Sequence, residues 1–364
     1  MKISINYLIY SYMLICLFLL LYNIIYIIKS DISKKLMKKR SSYWKGEILK
    51  QISFLQKQEN IEKRHLRNLE KKLVKIEELI YYVAALDSLN EHDTFEIYLQ
   101  NIFVTQQTLA LKYAKKDSMS RAFFAYIISK YPSCNGDEIR PIMRILISYL
   151  DDSTIYCREN VLNALCALGN IQAVENALQI LNDNHWFHHK KLLSDGLATF
   201  SGDKEKLMEV LWKHINDWDE NIMISVVQFI TICGGQYQEV FFPMLLSDNT
   251  NIEIRLGIMR YYRRYAYEPV REILYSFLQD DNIDENLIIV AALVLDRYPG
   301  EETIDILKEA LHHHNWYVRR NAASSLYNLR VELNTLDNIL EGDDPYAKDI
   351  LNYKYQVKVG EVVS

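Results

Sequence analysis

Hydrophobic and polar positions divide this chain into three regimes. Residues Tyr7–Ile28 (YLIYSYMLICLFLLLYNIIYII) form an uncharged run of 22 residues. A bilayer core of about 30 Å needs roughly 20 apolar residues in a helix, so the run is long enough to span one. A secretory signal has a shorter apolar core and a small-residue cleavage site, and neither is visible here. From about Ser42 to Leu89 the chain reads as one long helix. Leu66, Leu69, Leu73, Ile76, Ile80 and Val83 alternate in steps of three and four, with Glu and Lys between them. That is a heptad seam of under three repeats. It fits either a dimerisation or partner helix beside the membrane, or a face that caps the domain behind it. From about residue 91 onward, pairs of amphipathic helices alternate with short polar turns.

Those pairs recur. Asp152–Asn170 (DSTIYCRENVLNALCALGN), Asp248–Tyr262 (DNTNIEIRLGIMRYY) and Asn315–Leu329 (NWYVRRNAASSLYNL) share one design. A polar cap is followed by an apolar residue and an arginine (Cys157–Arg158, Ile254–Arg255, Val318–Arg319), then by apolar positions at helical spacing. Gly136, Gly169, Gly202 and Gly235 stand 33 residues apart, and Gly300 lies 65 further on. Glycine often ends a helix in the left-handed conformation, so a fixed interval marks a fixed unit. Caps for the second helices are expected at Asp152, Asp183, Asp217, Asp248, Asp281 and His314-Asn315. First helices are expected to open near Glu138, Ile171, Lys204, Gln238, Pro269, Glu302 and Thr335, with Pro141 and Pro269 in first turns, where the missing N–H costs nothing. A helical pair precedes them, over residues 93–114 and 118–131. A two-helix period of this size predicts an all-α α-solenoid of seven to eight hairpins behind one N-terminal transmembrane helix. The expected domains are an anchor (1–30), a basic juxtamembrane and long helical segment (31–90) and a repeat region (91–364).

The pattern Asp-x-x-Val-Arg-x-x-Ala-Ala-x-x-Leu in second helices resembles that of HEAT repeats. Asn315–Leu329 matches it best, with Asn in place of the leading Asp; residues 184–200 and 217–232 lack the arginine. The resemblance covers about 220 residues and speaks to fold far more than to function. It implies that Arg158, Arg255 and Arg319 each bond an Asp of a neighbouring repeat, forming a ladder; the alternative is a basic strip for an acidic partner. The layout is also similar to bacterial membrane-anchored HEAT-repeat proteins that accompany membrane glycosyltransferases of polysaccharide synthesis.

Composition supports helices: 364 residues contain only 11 Gly and 6 Pro, with 49% hydrophobic. The five cysteines (Cys16, Cys134, Cys157, Cys166, Cys233) show no framework spacing, which favours a reducing compartment. Net charge is −5, yet the first forty residues are basic through Lys2, Lys29, Lys34, Lys35, Lys38, Lys39 and Arg40 against Asp31 alone. The body is therefore acidic, which argues against a nucleic-acid groove. The heavier basic flank follows the apolar run, so the positive-inside rule predicts the amino terminus outside and the body in the cytoplasm.

Candidate chemistry is sparse. His185, His188 and His189 form one cluster and His312, His313 and His314 another, but each sits on a single turn, where neighbouring side chains diverge; no metal site or cofactor is expected. No phosphate loop, nucleophile elbow or zinc-binding helix motif appears, so no catalytic residue is nominated. Aromatic residues collect at hairpin turns: Trp186, Trp218 and Trp316, with Tyr156 and Tyr317. These, with Arg260, Arg263, Arg264 and Arg320 on polar helix faces, are the candidate contacts for a partner protein, although the aromatics could equally cover the ends of the helix stack. The expected function is a non-catalytic membrane scaffold or adaptor that binds no nucleic acid and no evident small-molecule substrate. The alternative is a HEAT-like enzyme of bilin-lyase or nucleic-acid-acting type.

Overall fold

A computed structural model describes residues 5–132, 139–280 and 282–361. Every regular element among them is helical. Gly136, Glu138, Cys134 and Asp281 lie outside the described residues. The chain forms two compact units, Met1–Gly169 and Asn170–Ser364.

The first unit contains α1 (Ile5–Gln56), α2 (Lys63–Lys72), α3 (Ile76–Asp87), α4 (Phe95–Asn101), α5 (Phe103–Tyr113), α6 (Ser118–Lys130), α7 (Arg140–Ser148) and α8 (Ile155–Leu168). The anchor is not a separate piece. Helix α1 runs 52 residues without a break, roughly 78 Å at the helical rise. No proline occurs in it, and a Cβ on its one glycine, Gly46, would meet nothing within 4 Å. Its N-terminal part is long and apolar enough to cross a membrane, and none of its apolar window is buried. Its C-terminal part enters the core. Trp44, Ile48 and Ile52, one helical turn apart, are 0%, 0% and 1% exposed and pack against α3 and α4. Burial of three such side chains stabilises by about 5–9 kcal/mol before entropy is counted. The Trp44 indole N–H donates to Glu78 Oε2 at 3.1 Å, Arg40 pairs with the same carboxylate, and the Trp44 ring meets Tyr82 edge-on at 5.4 Å.

The long helix expected over 42–89 is thus three helices. Backbone bonds from Lys57 and Gln58 to Phe54 and Leu55, with Gln58 at φ 62°, turn the chain after α1. The heptad seam is broken at residues 73–75, where the Tyr113 hydroxyl donates to Leu73 O at 2.8 Å and Lys116 donates to Val74 O. The interior face of α3 is Leu79, Tyr82, Val83 and Leu86, while Ile80 of the seam is exposed. Residues 91–101 share a unit with α1, so the division expected near residue 90 falls inside it.

The second unit contains α9 (Ile171–Asp183), α10 (Lys190–Ala198), α11 (Lys204–Lys213), α12 (Glu220–Cys233), α13 (Gln238–Leu246), α14 (Ile252–Arg264), α15 (Val270–Gln279), α16 (Glu285–Val294), α17 (Glu301–Ala310), α18 (Trp316–Asn328), α19 (Asp337–Leu340) and α20 (Pro345–Glu361). First helices begin at Ile171, Lys204 and Gln238, as the spacing predicts. The second helices pack in succession, α10 on α12, α12 on α14, α14 on α16, α16 on α18 and α18 on α20. Bonds recur between residues 32 to 35 positions apart: Asn182 to Asp217 O, Ser225 to Lys190 O, Asn321 to Ile289 O and Ser325 to Ala292 O.

Caps sit closer to the helices than the spacing predicts. Thr154 rather than Asp152 caps α8 and Asn251 rather than Asp248 caps α14; Asp219, not Asp217, stands directly before α12 but makes no side-chain cap bond, Asp183 is the last residue of α9, and Asn315 caps α18 as expected. A cap must stand directly before the first free N–H groups to accept from them, and the turns are longer than the aspartate spacing implies. Among the described residues, only Gly169 of the glycine series is left-handed, at φ 70°, where it ends α8. Gly300 instead precedes α17 in extended backbone.

Candidate functional site: an aromatic and arginine surface

The exposed aromatic residues at the start of α18 form the best-defined surface of the second unit. Asn315 caps this helix by accepting from the Tyr317 N–H at 2.7 Å, which turns Trp316 and Tyr317 outward. Their rings meet edge-on at 5.1 Å, and Trp316 is 48% exposed. Arg320, one turn on, lays its guanidinium over the Trp316 ring at 5.4 Å, while Arg319 covers the exposed Tyr346 at 5.2 Å. Two candidate residues from the sequence, Trp316 and Arg320, are therefore brought together. Cation–π pairing pre-orders long side chains that an exposed surface would otherwise leave mobile. The result is a large apolar area with a positive rim, the composition favoured in interface centres.

The other candidates fall elsewhere. Trp218 is 4% exposed, and its indole N–H donates to Leu211 O at 2.9 Å; it belongs to the core between α11 and α12 and is no surface contact. Trp186 is half-buried in the α9–α10 turn, next to the exposed Phe187. Arg260 is exposed on α14. Arg263 is not an open contact: its guanidinium grips Asp296 through both oxygens, at 3.1 and 2.7 Å, from one hairpin to the next. Asp296 is buried and also accepts from Asn328 Nδ2 at 2.9 Å.

The ladder arginines bond mainly within their own turns. Arg255 donates to Leu245 O at 3.0 Å and to Asp248 at 3.1 Å. Arg319 donates to the carbonyls of His313 and His314, and Arg158 to Ser153 O. For Arg255 and Arg319 the rung to a neighbouring repeat is replaced by a brace on the loop that precedes the helix. The inter-hairpin Arg–Asp link exists at Arg263–Asp296, a position the pattern did not single out. Its sequence signal is a partner one period away, 33 residues.

The histidines are bound up in local pairs. His185 meets Asp219 at 2.9 Å, His312 meets Asp344 at 2.8 Å and His314 meets Glu285 at 3.0 Å. Among the described residues, no three His, Cys, Asp or Glu side chains converge on a point that could hold a metal ion. The hydrogen bond from His312 holds the Asp344 carboxyl below its usual range, and bonds from Gln51 and then Lys50 do the same for Glu62.

A cavity of about 350 Å³ opens beside α11, walled by Met208, Trp212, Tyr237, Gly234 and the carboxylates Glu205 and Glu209. A Cβ on Gly234 would fall 2.8 Å from Met208 Sδ, so glycine is what admits the methionine there. Burial, with the charges of Glu209 and Glu205, pushes the Tyr237 hydroxyl up to about 12, which keeps it protonated.

No family model matches the chain, and no curated protein matches it.

Proposed function

We propose that this chain is a non-catalytic scaffold that holds a partner protein next to a membrane. In this reading the helical pairs form an α-solenoid of HEAT-like hairpins, and the tether confines its surface to the membrane plane. The observation that carries it is the continuity of α1, in which the apolar run and the core residues Trp44, Ile48 and Ile52 belong to one unbroken helix. A hydrolytic or transferring enzyme needs only a leash; a helix buried at its far end fixes the height and attitude of the unit whose core it enters. The basic residues between Lys29 and Arg40 favour the cytoplasmic side for the body. The Trp316–Tyr317–Arg320 surface is where the partner docks.

The reading is tested by photo-crosslinking in native membranes from a photoreactive residue placed at Tyr317. A discrete adduct that disappears in Trp316→Ala/Arg320→Ala, with thermal unfolding unchanged, is expected. Recovery of the uncrosslinked chain alone, or an adduct indifferent to those substitutions, would sink the docking site. Protection of the body from external protease in intact cells is expected; digestion there would overturn the cytoplasmic side.

A further inference from the structure

Helix α2 folds back along α1. Gln51 and Lys50 of α1 meet Glu62 at one end, at 3.0 and 2.9 Å, and the Lys72 ammonium lies over the Tyr43 ring at 4.8 Å at the other. Between the two helices opens a polar cavity of about 570 Å³. Its size is that of a small-molecule site. Lys50, Arg64, Arg67, Lys71 and Lys72 line it against two carboxylates, Glu47 and Glu62. Lys50 is neutralised by Glu62, but Arg64, Arg67 and Lys71 have no hydrogen-bond or ion-pair partner among the described residues. In a chain of net charge −5, three unpaired cations on two turns of one helix are a local excess that repels itself when empty.

His65 forms the wall beneath them. Its side chain is 1% exposed, and its Nε2 lies 3.0 Å from the Tyr98 hydroxyl, which in turn is 2.9 Å from that of Tyr82. The Nδ1 atom has no hydrogen-bond partner. Glu47 Oε2 stands 4.0 Å away, too far to bond but close enough to favour the tautomer that carries its proton on Nδ1. Tyr82 then donates to Tyr98 and Tyr98 to Nε2, leaving a buried N–H without an acceptor. A lost acceptor at such a site costs about 1–3 kcal/mol. His65 is thus a buried wall of the cavity, not a donor to its contents.

We infer that this cavity binds a small, soluble, multiply charged phosphate-bearing ligand, gripped by Arg64, Arg67 and Lys71. Paired arginines suit phosphate because each guanidinium offers two parallel N–H donors. A soluble source fits the geometry better than a lipid headgroup. Tyr43, at the near end of the cavity, lies 15 residues beyond Ile28, about 22 Å along α1 from the end of the apolar run. The headgroup layer of one leaflet is only about 5–8 Å deep, and a tilt of about 20° shortens that reach by little.

The test uses the full chain in nanodiscs of phosphatidylcholine, titrated with inorganic pyrophosphate by calorimetry. Saturable one-site binding is expected. Arg64→Gln/Arg67→Gln, both exposed side chains whose loss leaves the fold intact by thermal unfolding, should weaken it at least about ten-fold, the loss of one or two charge-assisted bonds. Lys35→Gln/Lys38→Gln, on the basic part of α1 but outside the cavity, should leave it unchanged. No saturable binding, or equal weakening by the Lys35/Lys38 pair, would overturn the site. Nanodiscs containing phosphatidylglycerol separate the sources: pyrophosphate affinity unchanged there supports a soluble ligand, and competition by the anionic lipid refutes it in favour of a headgroup. None of these outcomes bears on the partner surface at Trp316.

Discussion

Protonation of His65 should be a main route by which acid loosens the first unit. The imidazole of α2 is desolvated against α1 and α4, and burial pulls its pKa from the ordinary 6.5 to about 4, outweighing the upward pull from Glu62, with a smaller downward push from Lys50. Glu47 and Lys50 from α1, Glu62 ahead of α2, Tyr98 from α4 and, behind it, Tyr82 from α3 are the titratable groups around it. The folded-state pKa is depressed, so the folded form resists the proton that the unfolded chain accepts. Stability is then full above about pH 6.5, declines as pH falls and levels off near pH 4. Between 6.5 and about 4 the linked loss amounts to about 3 kcal/mol, of which about 2 is lost by about pH 5. That is a sizeable part of the roughly 5–15 kcal/mol by which a domain is stable. Hydrogen exchange of amides in residues 44–56 and 76–87, corrected for intrinsic rates, reads this loss directly in the full chain. In His65→Gln, which cannot titrate but can still accept from Tyr98, the protection lost across the window should be smaller by about 3 kcal/mol. Equal losses in the two proteins would refute the assignment to His65.

Three further outcomes follow from named contacts. Arg263→Ala strands the buried Asp296 carboxylate with Asn328 as its remaining partner and should destabilise the second unit by about 2–4 kcal/mol, less than a fully buried pair because Arg263 is half-exposed; thermal unfolding measures it, and Asp296→Asn in the same chain should recover part of the loss. Trp218→Ala should cost about 3–5 kcal/mol in guanidinium unfolding while Trp316→Ala costs under about 0.5, a contrast that disappears if Trp218 is a surface residue. Gly169→Ala forces a side chain into φ 70° and should lower stability by about 1–2 kcal/mol, with Gly169→Asn losing less.

Local chemistry decided which features could be read from the sequence. Helix starts at Ile171, Lys204 and Gln238 follow from polar residues set before apolar stripes, and the structure has them there. The break between α2 and α3 carries no Gly or Pro. It is made by Tyr113 and Lys116, which donate to the helix-end carbonyls of Leu73 and Val74 from about forty residues away, so the local pattern reads straight through it. Buried tyrosines as a class escaped notice for the same reason. Tyr149 donates to Ala110 O and Tyr262 to Gln238 O, joining helices through hydroxyls whose targets no spacing rule reveals. Trp218 looked like the other turn tryptophans because its burial depends on how α11 meets α12. The docking of α1 was legible: Trp44, Ile48 and Ile52 lie four residues apart directly after the basic stretch. Reading the apolar run as a self-contained anchor hid them.

That docking changes what the basic stretch can do. Had residues 29–43 been a flexible leash, the body would roam within a radius of about 20 Å, and its lysines could spread freely over anionic headgroups. As helix, the same residues place Trp44, where α1 enters the core of the first unit, roughly 20 Å beyond the apolar run. Arg40, committed to Glu78, is withdrawn from the lipid-facing set. Lys29, Lys34, Lys35, Lys38 and Lys39 are spread around a rigid rod instead of gathered on a mobile loop. Their positions suit setting the orientation and depth of the span more than capturing lipid.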